Sequence, residues 1–94
     1  MTTTPSIAVI IAAYNARNTI GRAINSALAS PEVAEVIVVD DASSDDTVDI
    51  ARQSAGADTR LAIIRQQENR GPSAARNRAL RESSSPFVAV LDAD

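Results

Sequence analysis

The sequence predicts an α/β fold, a Rossmann-like parallel sheet with the element order β-α-β-α-β-α-β. Four short runs rich in β-branched and other apolar residues recur along the chain: Ser6 to Ala12, Val36 to Val39, Leu61 to Ile64 and Phe87 to Leu91. Near-continuous apolar runs of that length suit strands buried on both faces of a parallel sheet. Between them lie segments whose apolar residues recur at helical rather than strand spacing. Strands alternating with helices imply right-handed crossovers and helices on both faces of the sheet. The expected strand order is 3-2-1-4.

The first strand ends near Ala12. Ile20, Ala23, Ile24, Ala27 and Leu28 then follow the i, i+3, i+4, i+7, i+8 pattern of one helix face, which Ser30-Pro31 stops. The second helix is expected to open at Ser43-Ser44-Asp45-Asp46, where a serine N-cap and early acids suit the positive end of the helix dipole. It buries Val48 and Ala51 and runs to about Ser54, before Gly56. The third starts at Pro72-Ser73, since proline is tolerated in a first turn, and carries Ala75, Ala79 and Leu80 on its inner side. Ser83-Ser84-Ser85-Pro86 closes it.

At 94 residues the chain makes one domain, near the size at which a single core becomes sufficient. Its hydrophobic share is 45%, but much of that is alanine, and the aromatics are only Tyr14 and Phe87. The core is therefore thin. Without cysteine there is no disulfide framework or thiolate metal site, and without histidine the usual imidazole base is absent. The formal charge is −3 with no block of basic residues, so nucleic acid is not an expected partner. Met-Thr-Thr-Thr-Pro carries no basic segment, and the run from Ile7 to Ala13 is too short to span a bilayer. A cytoplasmic chain is the expectation.

The unusual polar residues fall at the carboxyl ends of the strands: Tyr14-Asn15, Asp40-Asp41, Asn69-Arg70-Gly71 and Asp92-Ala93-Asp94. In an open α/β sheet ligands bind there, in the crevice where the strand order reverses. One carboxylate of Asp40-Asp41 can accept a hydrogen bond from a base or a ribose hydroxyl, although Asp41 could equally cap the next helix or form an Asx turn. The pair could divide these roles. Asp92 and Asp94, spaced i, i+2, can face one hard cation; a solvated acidic loop is the commoner meaning of that pattern, and the switch-point position favours the cation. Oxygen donors without Cys or His point to Mn2+ or Mg2+. Arg70 and Arg76 flank a helix start that would suit an anion, the alternative being a surface helix whose arginines, Arg81 in particular, face solvent. Asn77 could be a structural hydrogen-bonder. The segment Ala13-Tyr14-Asn15-Ala16-Arg17-Asn18 has neither a G-x-G-x-x-G fingerprint nor a Walker lysine, which disfavours dinucleotide-dependent dehydrogenases and P-loop enzymes.

Taken together, Val9 to Asn15, Val36 to Asp45, Asn69-Arg70-Gly71 through Ala75-Arg76-Asn77, and Asp92-Ala93-Asp94 resemble the family 2 glycosyltransferases, whose nucleotide-binding half has the GT-A type fold. The ordered set covers nearly the whole chain, though no piece is specific alone. The resemblance implies that residues 1–94 are the N-terminal, nucleotide-sugar-binding part of an inverting enzyme, with the acceptor half and the carboxylate base in the part that would follow. It implies a UDP-sugar donor and a glycan or lipid-linked saccharide acceptor in polysaccharide synthesis. Ala12 and Tyr14 would line the nucleoside pocket, Asp41 would accept from the base, and Arg76 would lie beside base and diphosphate. Asp92 and Asp94 would hold ribose and metal, Asp94 closer to the cation. Ala42 departs from the glycine or asparagine frequent in the family. On this reading the 94 residues alone transfer no sugar, and the uncovered fourth strand promotes self-association.

Among rivals, haloacid-dehalogenase-like phosphatases and response-regulator receivers both want an acid pair after the first strand. The receivers also want a lysine, which this chain lacks. A nucleotidyltransferase of similar topology would carry a glycine-rich basic loop after that strand. It remains the alternative nucleotide-binding module.

Overall fold

The computed structural model describes residues 6–93, with Asp92 through its backbone only. The elements follow the expected order: β1 (Ile7–Ala13), α1 (Ile20–Leu28), β2 (Val33–Asp40), α2 (Thr47–Ala55), β3 (Leu61–Arg65), α3 (Pro72–Glu82) and β4 (Phe87–Asp92). The four strands form one parallel sheet in the order β3-β2-β1-β4. The order therefore reverses between β1 and β4, as the sequence leads one to expect. No helix among the described residues is long and apolar enough to cross a membrane.

Strand alternation divides the core between two faces. Val9 and Ile11 of β1 and Val36 and Val38 of β2 pack with Ile20, Ala23, Ile24 and Ala27 of α1 and Ala51 of α2. Ile10, Ile37 and Val39 point the other way, against Ala75 and Ala79 of α3. A helix that meets the sheet through alanines contributes little buried area per residue, which is the thin core the composition implies. On the first face α1 and α2 also approach closely. A Cβ built on Gly21 would stand 2.9 Å from Ser54 Oγ.

Several expectations are corrected. β2 begins at Val33 rather than Val36, because the register continues past an irregularity at Ile7/Ala8 despite the weak strand formers Ala34 and Glu35. α2 begins at Thr47, not at the serines. Ser43 is engaged elsewhere, and the Asp45 carboxylate accepts from both the N–H and the hydroxyl of Thr47. That side-chain bond, above all, holds the Asp45 carboxyl below its usual range. Leu80 is exposed, since it sits one helical position past the Ala75/Ala79 face that meets the sheet. β4 is not buried on both faces. Phe87 is 64% and Val90 54% exposed, because the helices lie over β1, β2 and β3, and of β4 only Leu91 reaches the first core. β4 thus presents the uncovered surface on which the sequence expects self-association.

The amino end of the sheet is tied by side chains that carry no candidate chemistry. Arg60 donates to the backbone carbonyls of Leu28 (2.6 Å), Ser30 (3.1 Å) and Val33 (3.0 Å) and forms a fork with Asp58. It thereby closes the last turn of α1 onto the start of β2. Glu35 accepts from Ser84 N–H and Ser85 Oγ, fixing the turn into β4.

At the opposite end, Ala42 has φ 62°, a left-handed conformation that costs an L-residue roughly 1–2 kcal/mol. Glycine would remove that strain while adding about 0.4–1 kcal/mol of unfolded-chain freedom. Ala42→Gly is therefore expected to raise stability by about 0.5–1 kcal/mol. A urea midpoint at or below that of the parent chain would contradict this.

Candidate functional site

The carboxyl ends of β1 and β2 meet in a cleft of about 350 Å³. Its walls come from Ala12 and Ala13 at the end of β1 and Tyr14 just after it, Asp41 after β2, Asn69, Gly71 and Pro72, the first turn of α3 with Ala75 and Arg76, and Ala93 after β4. Four of the six sequence-predicted residues, Ala12, Tyr14, Asp41 and Arg76, line this one space. The other two are Asp92 and Asp94. The register Ala12↔Asp92 brings the Asp92 backbone beside the cleft wall, and Ala93 between them lines it. The Asp92 side chain and the whole of Asp94 lie outside the described residues.

The two adjacent aspartates divide their work, and each position explains its share. Asp40 is the last residue of β2 and fully buried, so its carboxylate must be satisfied locally. It accepts from Ser43 N–H (2.9 Å) and Ser43 Oγ (2.5 Å), making the turn. Asp41, one residue on, points to the opposite side and is 4% exposed. One of its oxygens accepts the Arg70 N–H and the other the Gly71 N–H, each at 2.8 Å. Its own N–H donates to Ala13 carbonyl at 2.8 Å. The turn thus belongs to Asp40, while Asp41 fastens the β3–α3 loop across the cleft. An ionised carboxylate offers about four lone-pair directions, so Asp41 retains acceptor capacity.

A second network, invisible in the sequence, steadies the loop that bears Tyr14. Asn15 takes φ 47° and donates its N–H to Ser43 Oγ (2.8 Å), and its Oδ1 accepts Ser44 N–H (2.8 Å). Ala16 N–H donates to Thr47 Oγ1 at 2.9 Å, and Arg17 pairs with Asp46 at 3.2 Å. The loops after β1 and β2 are therefore one hydrogen-bonded unit. Tyr14 projects from it with 51% exposure, so its ring is available as a wall.

Among the arginines, the expected pairing of Arg70 and Arg76 at the helix start is corrected. Arg76 lines the cleft, where its guanidinium meets only Ser73 Oγ at 3.4 Å among the described side chains. Arg70 contributes its backbone to Asp41, but its side chain pairs with Glu68 at 2.7 Å and lines a neighbouring cleft with Asn77, Arg78 and Arg81. Asn77 is exposed rather than a structural hydrogen-bonder of the core, and Arg81 is exposed as expected. Chemically this cleft combines an aromatic wall, a buried acceptor, one guanidinium and the amino end of α3. Gly71 at that helix end has φ 92° and leaves open space where a side chain would stand.

The model of glycosyl transferase family 2 matches residues 8–94. Among curated relatives, the chain is 53% identical over 88 residues to the succinoglycan biosynthesis protein ExoU of Rhizobium meliloti, covering 94% of this chain and 26% of that protein. Among solved structures it is similar to the mannosyltransferase PcManGT from Pyrobaculum calidifontis in complex with GDP-Man and Mn2+, with a TM-score of 0.88 and 33% identity over 99% of this chain and 28% of the other. It is also similar to S. aureus TarS in complex with UDP-GlcNAc, with a TM-score of 0.86 and 31% identity over 95% of this chain and 26% of that one. The chain thus spans about a quarter of the length of each of these three proteins.

Proposed function

Since the chain belongs to glycosyl transferase family 2, we propose that it forms the donor side of an inverting glycosyltransferase, binding a UDP-sugar for transfer to a glycan or lipid-linked saccharide in polysaccharide synthesis. The observation that carries this is the meeting of Tyr14, Asp41 and Arg76 in one cleft at the strand ends. Tyr14 offers its ring face to the base, and a free lone pair of Asp41 accepts from the base imide N–H. Arg76 faces the diphosphate, where guanidinium and the amino end of α3 act on the same charge. ExoU, named for succinoglycan biosynthesis, supports the exopolysaccharide assignment.

The residues at the end of β4 fit a divalent cation by chemistry. Two carboxylates flank Ala93, which lines the cleft, and the chain has no His or Cys that would favour a softer metal. Asp92 and Asp94 would hold Mn2+ or Mg2+, Asp94 the closer, as the neighbour solved with Mn2+ supports. Held there, such a cation would neutralise charge developing on the leaving diphosphate. The acceptor hydroxyl attacks the anomeric carbon in a single displacement, and its proton passes to a base outside these 94 residues. The chain by itself is then a binding unit without turnover.

Tyr14 is the only tyrosine and tryptophan is absent, so intrinsic fluorescence reports this cleft alone. UDP should perturb the Tyr14 signal saturably and more tightly with Mn2+ present, and Asp94→Asn should abolish the metal-dependent gain. Binding of NADH without binding of UDP, or sugar transfer by the 94-residue chain, would overturn the reading.

A further inference from the structure

Beyond the donor cleft, we propose a second anion site on this chain, taking a sugar or polyol that carries two or more phosphates. The site is a separate cleft of about 840 Å³ between the β3–α3 loop and the outer flank of α3. It lies beside β3, at the opposite side of the sheet from β4. Arg65, Arg70, Arg78 and Arg81 line it, with Glu68 as the one acid in its walls. Four of the chain's 9 basic residues thus face one hollow in a molecule whose net charge is −3. Such segregation against the overall charge concentrates anions locally.

The arrangement follows from helix geometry. Ala74, Asn77, Arg78 and Arg81 are spaced i, i+3, i+4, i+7, one stripe of α3 turned away from the Ala75/Ala79 face that meets the sheet. The small Ala74 side chain leaves room near the loop. Opposite stand Arg65 and Arg70. Arg70 pairs with Glu68 at 2.7 Å, and Arg78 with Glu82 at 3.4 Å, each pair between exposed side chains. Arg65 donates one nitrogen to Ser43 carbonyl at 3.1 Å and stands 3.8 Å from Asp40, whose carboxylate already accepts twice from Ser43. Among the described residues Arg81 has no ion-pair partner.

Surface ion pairs of this kind hold a guanidinium in place at little energetic gain, and each guanidinium has five donors. The pairs therefore orient the arginines and leave donors for a ligand. The guanidinium fork matches two oxygens of a phosphate. Gln66, Gln67 and Asn77 add neutral donors and acceptors suited to hydroxyl groups, and the volume exceeds what one inorganic anion fills. A phosphorylated sugar or polyol meets all three features, whether free in solution or carried as a lipid headgroup.

The test is amide NMR of the whole 94-residue chain titrated with inositol hexakisphosphate. Saturable shifts are expected at residues 66–70 and 74–81, and they should weaken as ionic strength rises. Arg78→Gln and Arg81→Gln, made singly and together, should lower the affinity, about ten-fold for the pair, with an otherwise unchanged spectrum. Arg22→Gln, the same charge change on exposed α1, should leave it unaltered. Co-sedimentation with phosphatidylcholine vesicles containing phosphatidylinositol 4,5-bisphosphate, whose polyol headgroup carries several phosphates, separates the sources. Arginine-dependent vesicle binding assigns the lipid headgroup, and its absence beside inositol phosphate binding assigns a soluble ligand. Shifts confined to Ala12, Tyr14 and Arg76, non-saturable shifts, or an affinity untouched by the double variant would overturn the proposal.

Discussion

Arg60→Ala is expected to lower the stability of the fold by about 3 kcal/mol, among the larger effects of a single substitution outside the core. The guanidinium spans three backbone carbonyls, at Leu28, Ser30 and Val33, which belong to the end of α1 and the entry to β2. Alanine would leave those acceptors to whatever water can reach them. The Arg60 side chain is only 27% exposed, so replacement by water is incomplete, and hydrogen bonds to a charged donor are the costlier ones to lose. For a domain of this size about 3 kcal/mol corresponds to a fall in Tm on the order of 10 °C or more. Arg60→Lys should fall between, because a point ammonium cannot serve three carbonyls as the planar fork does.

The same cluster carries an acid dependence. The Asp58 carboxyl is lowered from 3.8 to about 2, first by its side-chain bond to Arg60. A carboxyl whose folded-state pKa lies below its unfolded value stabilises fully above the unfolded value. That contribution disappears as pH falls from 3.8 toward about 2. The parent chain should lose Tm in this window, and Arg60→Ala should lose less of it. A variant melting within about 2 °C of the parent, against the shift expected for a cost of this size, would remove Arg60 from its assigned role.

Asp41→Ala is expected to weaken UDP by about thirty-fold, or ~2 kcal/mol, with or without metal. Two causes combine. The β3–α3 loop loses the carboxylate that holds the Arg70 and Gly71 amides, and the base loses its acceptor. Asp41→Asn keeps one carbonyl acceptor but turns an NH2 toward a backbone N–H, so it should recover only part of the loss. Uridine separates base from diphosphate. Asp41→Ala should weaken uridine and UDP by the same factor, whereas Arg76→Ala should weaken UDP and leave uridine unchanged. Wild-type uridine affinity in Asp41→Ala, with the chain folded, would refute the assignment of Asp41 to the base.

How much of this was legible depended on the range of the interaction involved. The apolar runs, their alternation with helical spacing and the crowding of polar residues at strand ends are local patterns, and they determined the order β3-β2-β1-β4 and the rim on which the cleft lies. The ordered motifs determined the family. Local pattern marked Asp40 and Asp41 as a pair that could divide a turn and a ligand contact between them. Which aspartate took which role was decided only when β2 entered the sheet, since successive side chains leave a strand on opposite sides and both carboxylates end up buried, Asp40 against Ser43 and Asp41 against the β3–α3 loop. The bonds of Asp41 to Arg70 and Gly71, of Asn15 to Ser43 and of Arg60 to Leu28 join residues 28 to 32 positions apart. No periodicity encodes such pairs, because each requires a crossover from one strand to the next to place its ends together. Likewise Leu80 and Val90 read as core by type. Their exposure was settled by where the helices lie, over β1, β2 and β3, and burial belongs to the packed assembly rather than to the residue.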